Sequence, residues 1–150
     1  MKYFHSIKLT VFSYEHENSE EIFSSFLKFL PFDLEKNKSV VIKRNASGFN
    51  ESKITIFEVI LKKTNPVNQF IEFILKGLDE VQKEALVQQL ESRLDENLDF
   101  FIRFDKEEWL KNGKLELTDS GKCFHLKMSV AAFPRNREIA LRLVKELLER

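Results

Sequence analysis

The sequence is poor in the residues from which catalytic centres and covalent scaffolds are built. Its 150 residues include one cysteine, four glycines, three prolines and three histidines. A lone cysteine excludes an internal disulfide. Cys123 lies in an apolar, alternating run, which favours a small buried hydrophobe over a reactive thiol. Gly48, Gly77, Gly113 and Gly121 stand singly, so there is no glycine-rich loop to cradle phosphates. His5, His16 and His125 are isolated, and Cys123-x-His125 is a lone pair without further ligands at metal-site spacing, so no metal or other cofactor is expected. No G-x-S-x-G elbow occurs. No apolar run is long enough to span a bilayer, and Lys2, His5 and Lys8 interrupt the stretch from Met1 to Ser13 that a secretory leader would need. The cytoplasm is therefore the expected compartment, and the sequons at Asn45 and Asn50 read as chance. The balance of 24 basic and 24 acidic residues argues against a uniformly basic nucleic-acid coat protein.

Phenylalanine is abundant, with 15 residues. Each such ring buries on the order of 150–250 Å², enough to fill the core of one domain, residues 1–150, of ordinary size. Alternation marks a first strand over Tyr3 to Ser13, with Ile7, Leu9 and Val11 on one side and Ser6, Lys8 and Thr10 on the other. Asn18 and Glu21 have capping-box spacing for a helix carrying Ile22, Phe23, Phe26, Leu27 and Leu30, ended by Pro31. Strands are expected at Ser39 to Arg44 and Ile54 to Lys62, joined by a turn-rich tip. The second of these is apolar on both faces, which places it centrally. Asn65-Pro66 opens an apolar helix, and Asp79 with Gln82 caps the next. Leu98 to Phe104 forms another strand, Asp105 caps one helical turn, Lys114 to Leu117 forms a brief strand, Lys122 to Phe133 the last strand, and Pro134 opens a C-terminal helix. Hairpins dominate this order. The fold class is therefore α+β, with an antiparallel or mixed curved sheet and helices packed on one face.

The neutral chain sorts its charges. Between Lys36 and Lys63 seven basic residues, Lys43, Arg44 and Lys53 among them, meet only Glu51 and Glu58. Between Ser120 and Arg137 stand Lys122, Lys127, Arg135 and Arg137 with no acid. Arg135 and Arg137 fall at the start of the last helix, where the macrodipole favours anions over cations. Two arginines there make sense if a phosphate docks. Arg103 alternates off the apolar face of its strand toward solvent. Phe49, at the hairpin tip, is a candidate for stacking on bases, whereas Trp109 belongs in the core.

Four segments resemble the archaeal RNA-binding, predicted exosome-subunit family. They are His5 to Phe12, the hairpin Asn45 to Ile54, Ile102-Arg103-Phe104-Asp105-Lys106, and Val130-Ala131-Ala132-Phe133-Pro134-Arg135-Asn136-Arg137-Glu138. The resemblance implies a fold like large-subunit ribosomal protein five, RNA binding, and exosome or ribosome components as partners. The matching residues are Arg103, Lys106, Arg135 and Arg137. The hairpin tip departs from the family pattern, having Ala46-Ser47-Gly48-Phe49-Asn50 where His and Gly are usual. The expected protein is thus a non-catalytic RNA binder that holds phosphates with Lys43, Arg44, Lys53, Arg103, Lys106, Arg135 and Arg137. The alternatives are a protein–protein adaptor, which an exposed apolar patch would favour, and an enzyme, which would need a pocket of convergent perturbed groups.

Overall fold

Period-two alternation along five segments produces one sheet with a dry face and a wet face. The computed structural model describes residues 2–150. Its strands are β1 (Phe4–Tyr14), β2 (Ile42–Ser47), β3 (Lys53–Leu61), β4 (Asp99–Asp105) and β5 (Cys123–Val130), in spatial order β2-β3-β1-β5-β4. Every neighbouring pair is antiparallel, so the mixed option falls away. The middle strand is β1; β3 is interior but one place nearer the edge. The helices are α1 (Ser19–Leu27), α2 (Thr64–Gly77), α3 (Glu80–Gln88), α4 (Leu90–Arg93), α5 (Lys106–Asn112) and α6 (Arg137–Glu149).

On the dry face Ile7, Leu9, Val11, Val59, Phe104, Phe124 and Leu126 are essentially inaccessible and join one cluster with Phe26, Phe29 and Phe70 from the helices. Phe29 sits 4.3 Å from the Trp109 ring and 4.8 Å from the Phe124 ring. Trp109 is in the core as expected, its indole N–H donating to Ser25 O at 2.8 Å. Three caps form as their spacing requires. Asn18 accepts from the Glu20 and Glu21 amides, Asp79 from Gln82, and Asp105 from Glu108.

Several boundaries move for local reasons. Helix α1 stops at Leu27 because the amides of Lys28, Phe29 and Leu30 bond to carbonyls three residues back, and the residue before Pro31 avoids the helical region. Strand β2 starts at Ile42 because the Ser39 amide is taken by Leu34 O. It runs on to Ser47, which shortens the hairpin tip to Gly48–Ser52. In that tip Asn50 and Glu51 adopt φ of 59° and 58°, the left-handed region that Asn tolerates better than Glu. Helix α2 begins at Thr64, which leaves Pro66 inside the first turn, where its missing N–H is not needed. Lys114–Leu117 contributes only a bridge from Leu117 to Phe104. Strand β5 ends at Val130. Helix α6 begins after Asn136, whose side chain caps Ile139 N, rather than at Pro134.

Candidate functional site

The same alternation that buries one face of the sheet sends Lys8, Thr10 and Phe12 of β1 to the other, where strand register aligns them with their neighbours. One row across this open face reads Ile42, Glu58, Thr10, His125, Arg103. A second begins Arg44, Ile56, Phe12, and a third reads Ile60, Lys8, Lys127, Phe101. A hollow of about 380 Å³ lies over this face, lined by Lys8, Arg44, Arg103 and Lys127 against a single carboxylate, Glu58. A second hollow of about 460 Å³ shares Arg103 with it and adds Arg93 and Phe101.

Glu58 organises the cations on β1 and β2. It is buried, and its carboxylate accepts from the Arg44 guanidinium at 3.1 Å and lies 3.5 Å from Lys8 Nζ. Arg44 and Lys8 nevertheless keep 54% and 38% of their side chains exposed, so both remain able to meet a ligand. Lys127 lies 3.6 Å from Asp99. Arg103 donates to Asp119 O at 3.1 Å and has no carboxylate partner among the described residues. Burial, with the charges of Arg103, Lys8 and Lys127, holds His125 below its ordinary 6.5, which keeps the imidazole neutral at physiological pH. Burial pushes the Cys123 thiol above its ordinary value, which disfavours the reactive thiolate.

The sequence-derived candidates separate into three places. Arg44 and Arg103 come together on the open face. Lys43 and Lys53 lie on β2 and β3 with the opposite parity. Lys43 lines a shallow hollow with Phe23 and Phe57 on the helix side, and Lys53 sits exposed beside the hairpin tip. Lys106, only 4% exposed, is enclosed, its amine donating to Phe12 O at 2.6 Å and to Glu17 at 3.0 Å. Arg135 donates to Asn97 O, and Arg137 donates to Glu91 O, Leu94 O and Asp95 O, at the end of α4 and the turn into β4. Glu91 O and Leu94 O belong to the C-terminal end of α4, where a helix leaves carbonyls unpaired, so the Arg137 guanidinium fits there without any anion.

The residues that sequence reasoning left out of the site are Lys8, Lys127, Phe12, Phe101 and His125. Their parity was visible for Lys8, opposite Ile7 and Leu9, but the pairings that gather them were not. Phe12 is 41% exposed on the middle strand. The Phe101 and His125 rings stand 5.5 Å apart at 44°. Phe49 is 90% exposed at the hairpin tip, as expected.

A family model described as RNA binding matches residues 6–130, a span that holds almost the whole sheet and stops short of Arg135 and Arg137. RNA-binding protein PAB1135 of Pyrococcus abyssi is 23% identical over 145 residues, covering 97% of this chain and 94% of its own. Among solved structures, protein AF2318 of Archaeoglobus fulgidus superposes with a TM-score of 0.85 at 24% identity over 96% of this chain and 99% of that one. Mth689, a DUF54 protein from Methanothermobacter thermautotrophicus, gives 0.79 at 25% identity over 98% and 99%.

Proposed function

Since the chain belongs to the RNA-binding family whose model spans residues 6–130, we propose that it is a non-catalytic RNA-binding protein whose open sheet face holds the phosphates. The observation that carries this reading is the hollow over the sheet, lined by four cations and one buried carboxylate, with every lining residue but Gly121 on a strand. Arg44, Arg103, Lys8 and Lys127 are its phosphate ligands. Lys43 and Lys53 flank the site from the hairpin and meet only RNA that wraps around the β2 edge. Lys106 supports the site from beneath by fixing the Phe12 carbonyl. Arg135 and Arg137 fasten the start of α6 to the turn before β4. In the cell such a protein acts as an accessory of RNA processing, with exosome or ribosome components as partners and a fold related to large-subunit ribosomal protein five.

A protein–protein adaptor is the second reading, favoured by Phe12, Ile42 and Ile60, each between 41% and 46% exposed on the same face. Titration against labelled RNA at about 50 and 200 mM salt separates the two. Four phosphate contacts on a single strand correspond to a log–log salt slope of about −2.8, or roughly a 50-fold loss of affinity across that range. Arg44→Ala/Arg103→Ala should cut affinity and flatten the slope by about 1.4. No binding at the lower salt refutes the RNA reading and leaves the adaptor.

A further inference from the structure

The open face carries a line of rings as well as cations. Phe12 lies on β1, His125 on β5 and Phe101 on β4, three adjacent strands. Thr10 pairs with His125, so Phe12 is diagonal to it; Lys127 pairs with Phe101, so Phe101 is diagonal to His125 in the same sense. The three rings therefore form one continuous diagonal, with Lys8 and Lys127 on one side and Arg103 on the other.

We infer that this face takes single-stranded rather than duplex RNA, seating unpaired bases on Phe12, His125 and Phe101 while the flanking cations hold the backbone. The inference rests on the RNA reading above. Diagonal neighbours in a sheet are about 7–8 Å apart, and the His125 and Phe101 ring centres are 5.5 Å apart. Both spacings exceed the roughly 3.4 Å rise between stacked bases in a duplex strand. Successive bases can reach successive rings only if they are splayed, which a paired helix forbids. A duplex also keeps its base faces inside the stack, offering only phosphate, sugar and groove edges to a flat surface. Phe12 and Phe101 would gain nothing from such a partner, whereas every unpaired base has a face to give them. His125 suits the middle position because it is neutral, half-buried and held on an interior strand, so it stacks without adding a charge that its cationic neighbours would oppose.

The test compares a fluorescein-labelled single strand of mixed sequence, about 12 nucleotides long, with the same strand annealed to its complement. The probes are titrated against the full chain, Phe12→Ala, Phe12→Leu, Phe12→Trp and Phe101→Ala, with thermal melting as the check on folding. The single strand should bind more tightly than the duplex. Each alanine variant should lose roughly 5- to 150-fold on the single strand and less than about twofold on the duplex. Phe12→Leu, which keeps an apolar cover but has no ring, should lose as Phe12→Ala does. Phe12→Trp should retain affinity, and its exposed indole should be quenched by the RNA. If the duplex binds as well as the single strand, or if the ring variants keep full affinity while Arg44→Ala/Arg103→Ala loses it, the single-strand inference is overturned and the RNA reading stands. If neither RNA binds at low salt, both are overturned.

Discussion

Glu58→Gln should tighten RNA binding although it removes two ion pairs. Glu58 is the one carboxylate lining the cationic hollow, held between Arg44 at 3.1 Å and Lys8 at 3.5 Å. A phosphate docking on those two cations comes to roughly 7 Å from the carboxylate. At an effective dielectric of about 40, between the bulk-water and near-surface values, the repulsion there is about 1 kcal/mol, or roughly fivefold in affinity. Glutamine is isosteric, keeps an oxygen for the Arg44 guanidinium and abolishes the repulsion. The cost in stability should stay within about 1–2 kcal/mol, because Glu58 is buried but its partners are 54% and 38% exposed and the glutamine oxygen still accepts from Arg44. Fluorescence anisotropy against single-stranded RNA should show about fivefold tighter binding near 50 mM salt. The gain should shrink as the screening length falls from about 10 Å at 0.1 M to about 3 Å at 1 M. A melting curve run alongside should shift by no more than a few degrees. Weaker binding by a normally melting Glu58→Gln would refute the reasoning, since the carboxylate would then be accepting hydrogen bonds from the RNA or posing the two cations, not opposing the phosphates.

Three further substitutions separate support from contact. Lys106→Met strands Phe12 O, leaves the Glu17 carboxylate, which is 22% exposed, with the Tyr14 amide as its donor, and should cost about 2–3 kcal/mol, lowering the melting temperature by about 5–10 °C. Burial would raise the Glu17 pKa, but the Tyr14 amide and Lys106 outweigh it and hold the carboxyl below its ordinary 4.5. Wild-type stability from this group is therefore complete above that value and lost as pH falls through the lower folded value, and acid titrations of Lys106→Met should show a smaller loss. Arg137→Ala removes the donor to three carbonyls and should destabilise by about 1–2 kcal/mol in denaturant melts. Its RNA affinity should stay within about twofold of wild type, because the guanidinium, though exposed, is engaged by three backbone carbonyls; a larger loss would return α6 to the binding surface. His125→Phe should leave single-strand affinity intact at neutral pH. It should also abolish one pH effect: with the folded pKa depressed, the unfolded chain takes the proton first, so wild-type stability is full above 6.5 and declines as pH falls from there toward the folded value.

Local chemistry was legible in the sequence and register was not. Asn18, Asp79 and Asp105 announce their helices because a cap and the amide it receives lie within three residues. The inward sets of β1, β4 and β5 follow from alternation alone, whereas β3, apolar on both faces, leaves its own open. The site depends instead on which strand lies beside which. Lys43 and Arg44 are neighbours in one basic run, yet parity puts Arg44 over the hollow and Lys43 on the helix side. Arg103 and Lys106 belong to one short motif, yet the first ends on the open face and the second, one step into α5, turns beneath it to Phe12 and Glu17. Arg137 looked misplaced at a helix start because its partners, the carbonyls of Glu91, Leu94 and Asp95, lie more than forty residues earlier. A charge count weights all these residues equally; the strand pairings β2–β3, β1–β3, β1–β5 and β4–β5 tell the strand residues apart.

The open face also has a composition that solvation alone does not explain. A sheet face without a helical cover should be mostly polar, since apolar groups there gain nothing from folding. Here Phe12, Ile42 and Ile60 are exposed, and Phe101 is half-buried, among the cations. Cations alone would suffice for a phosphate backbone, and apolar side chains alone for a protein partner. Their interleaving across all five strands fits a ligand that alternates flat apolar faces with anionic links, which single-stranded RNA does at every nucleotide. Placing the rings on β1, β5 and β4 rather than on the hairpin tip holds their spacing by backbone ladders on both sides of β1 and β5. Little of the ordering entropy is then left for the moment of binding. Phe49 lacks that support: it is 90% exposed on a five-residue tip, so its contribution to binding should fall well below that of Phe12.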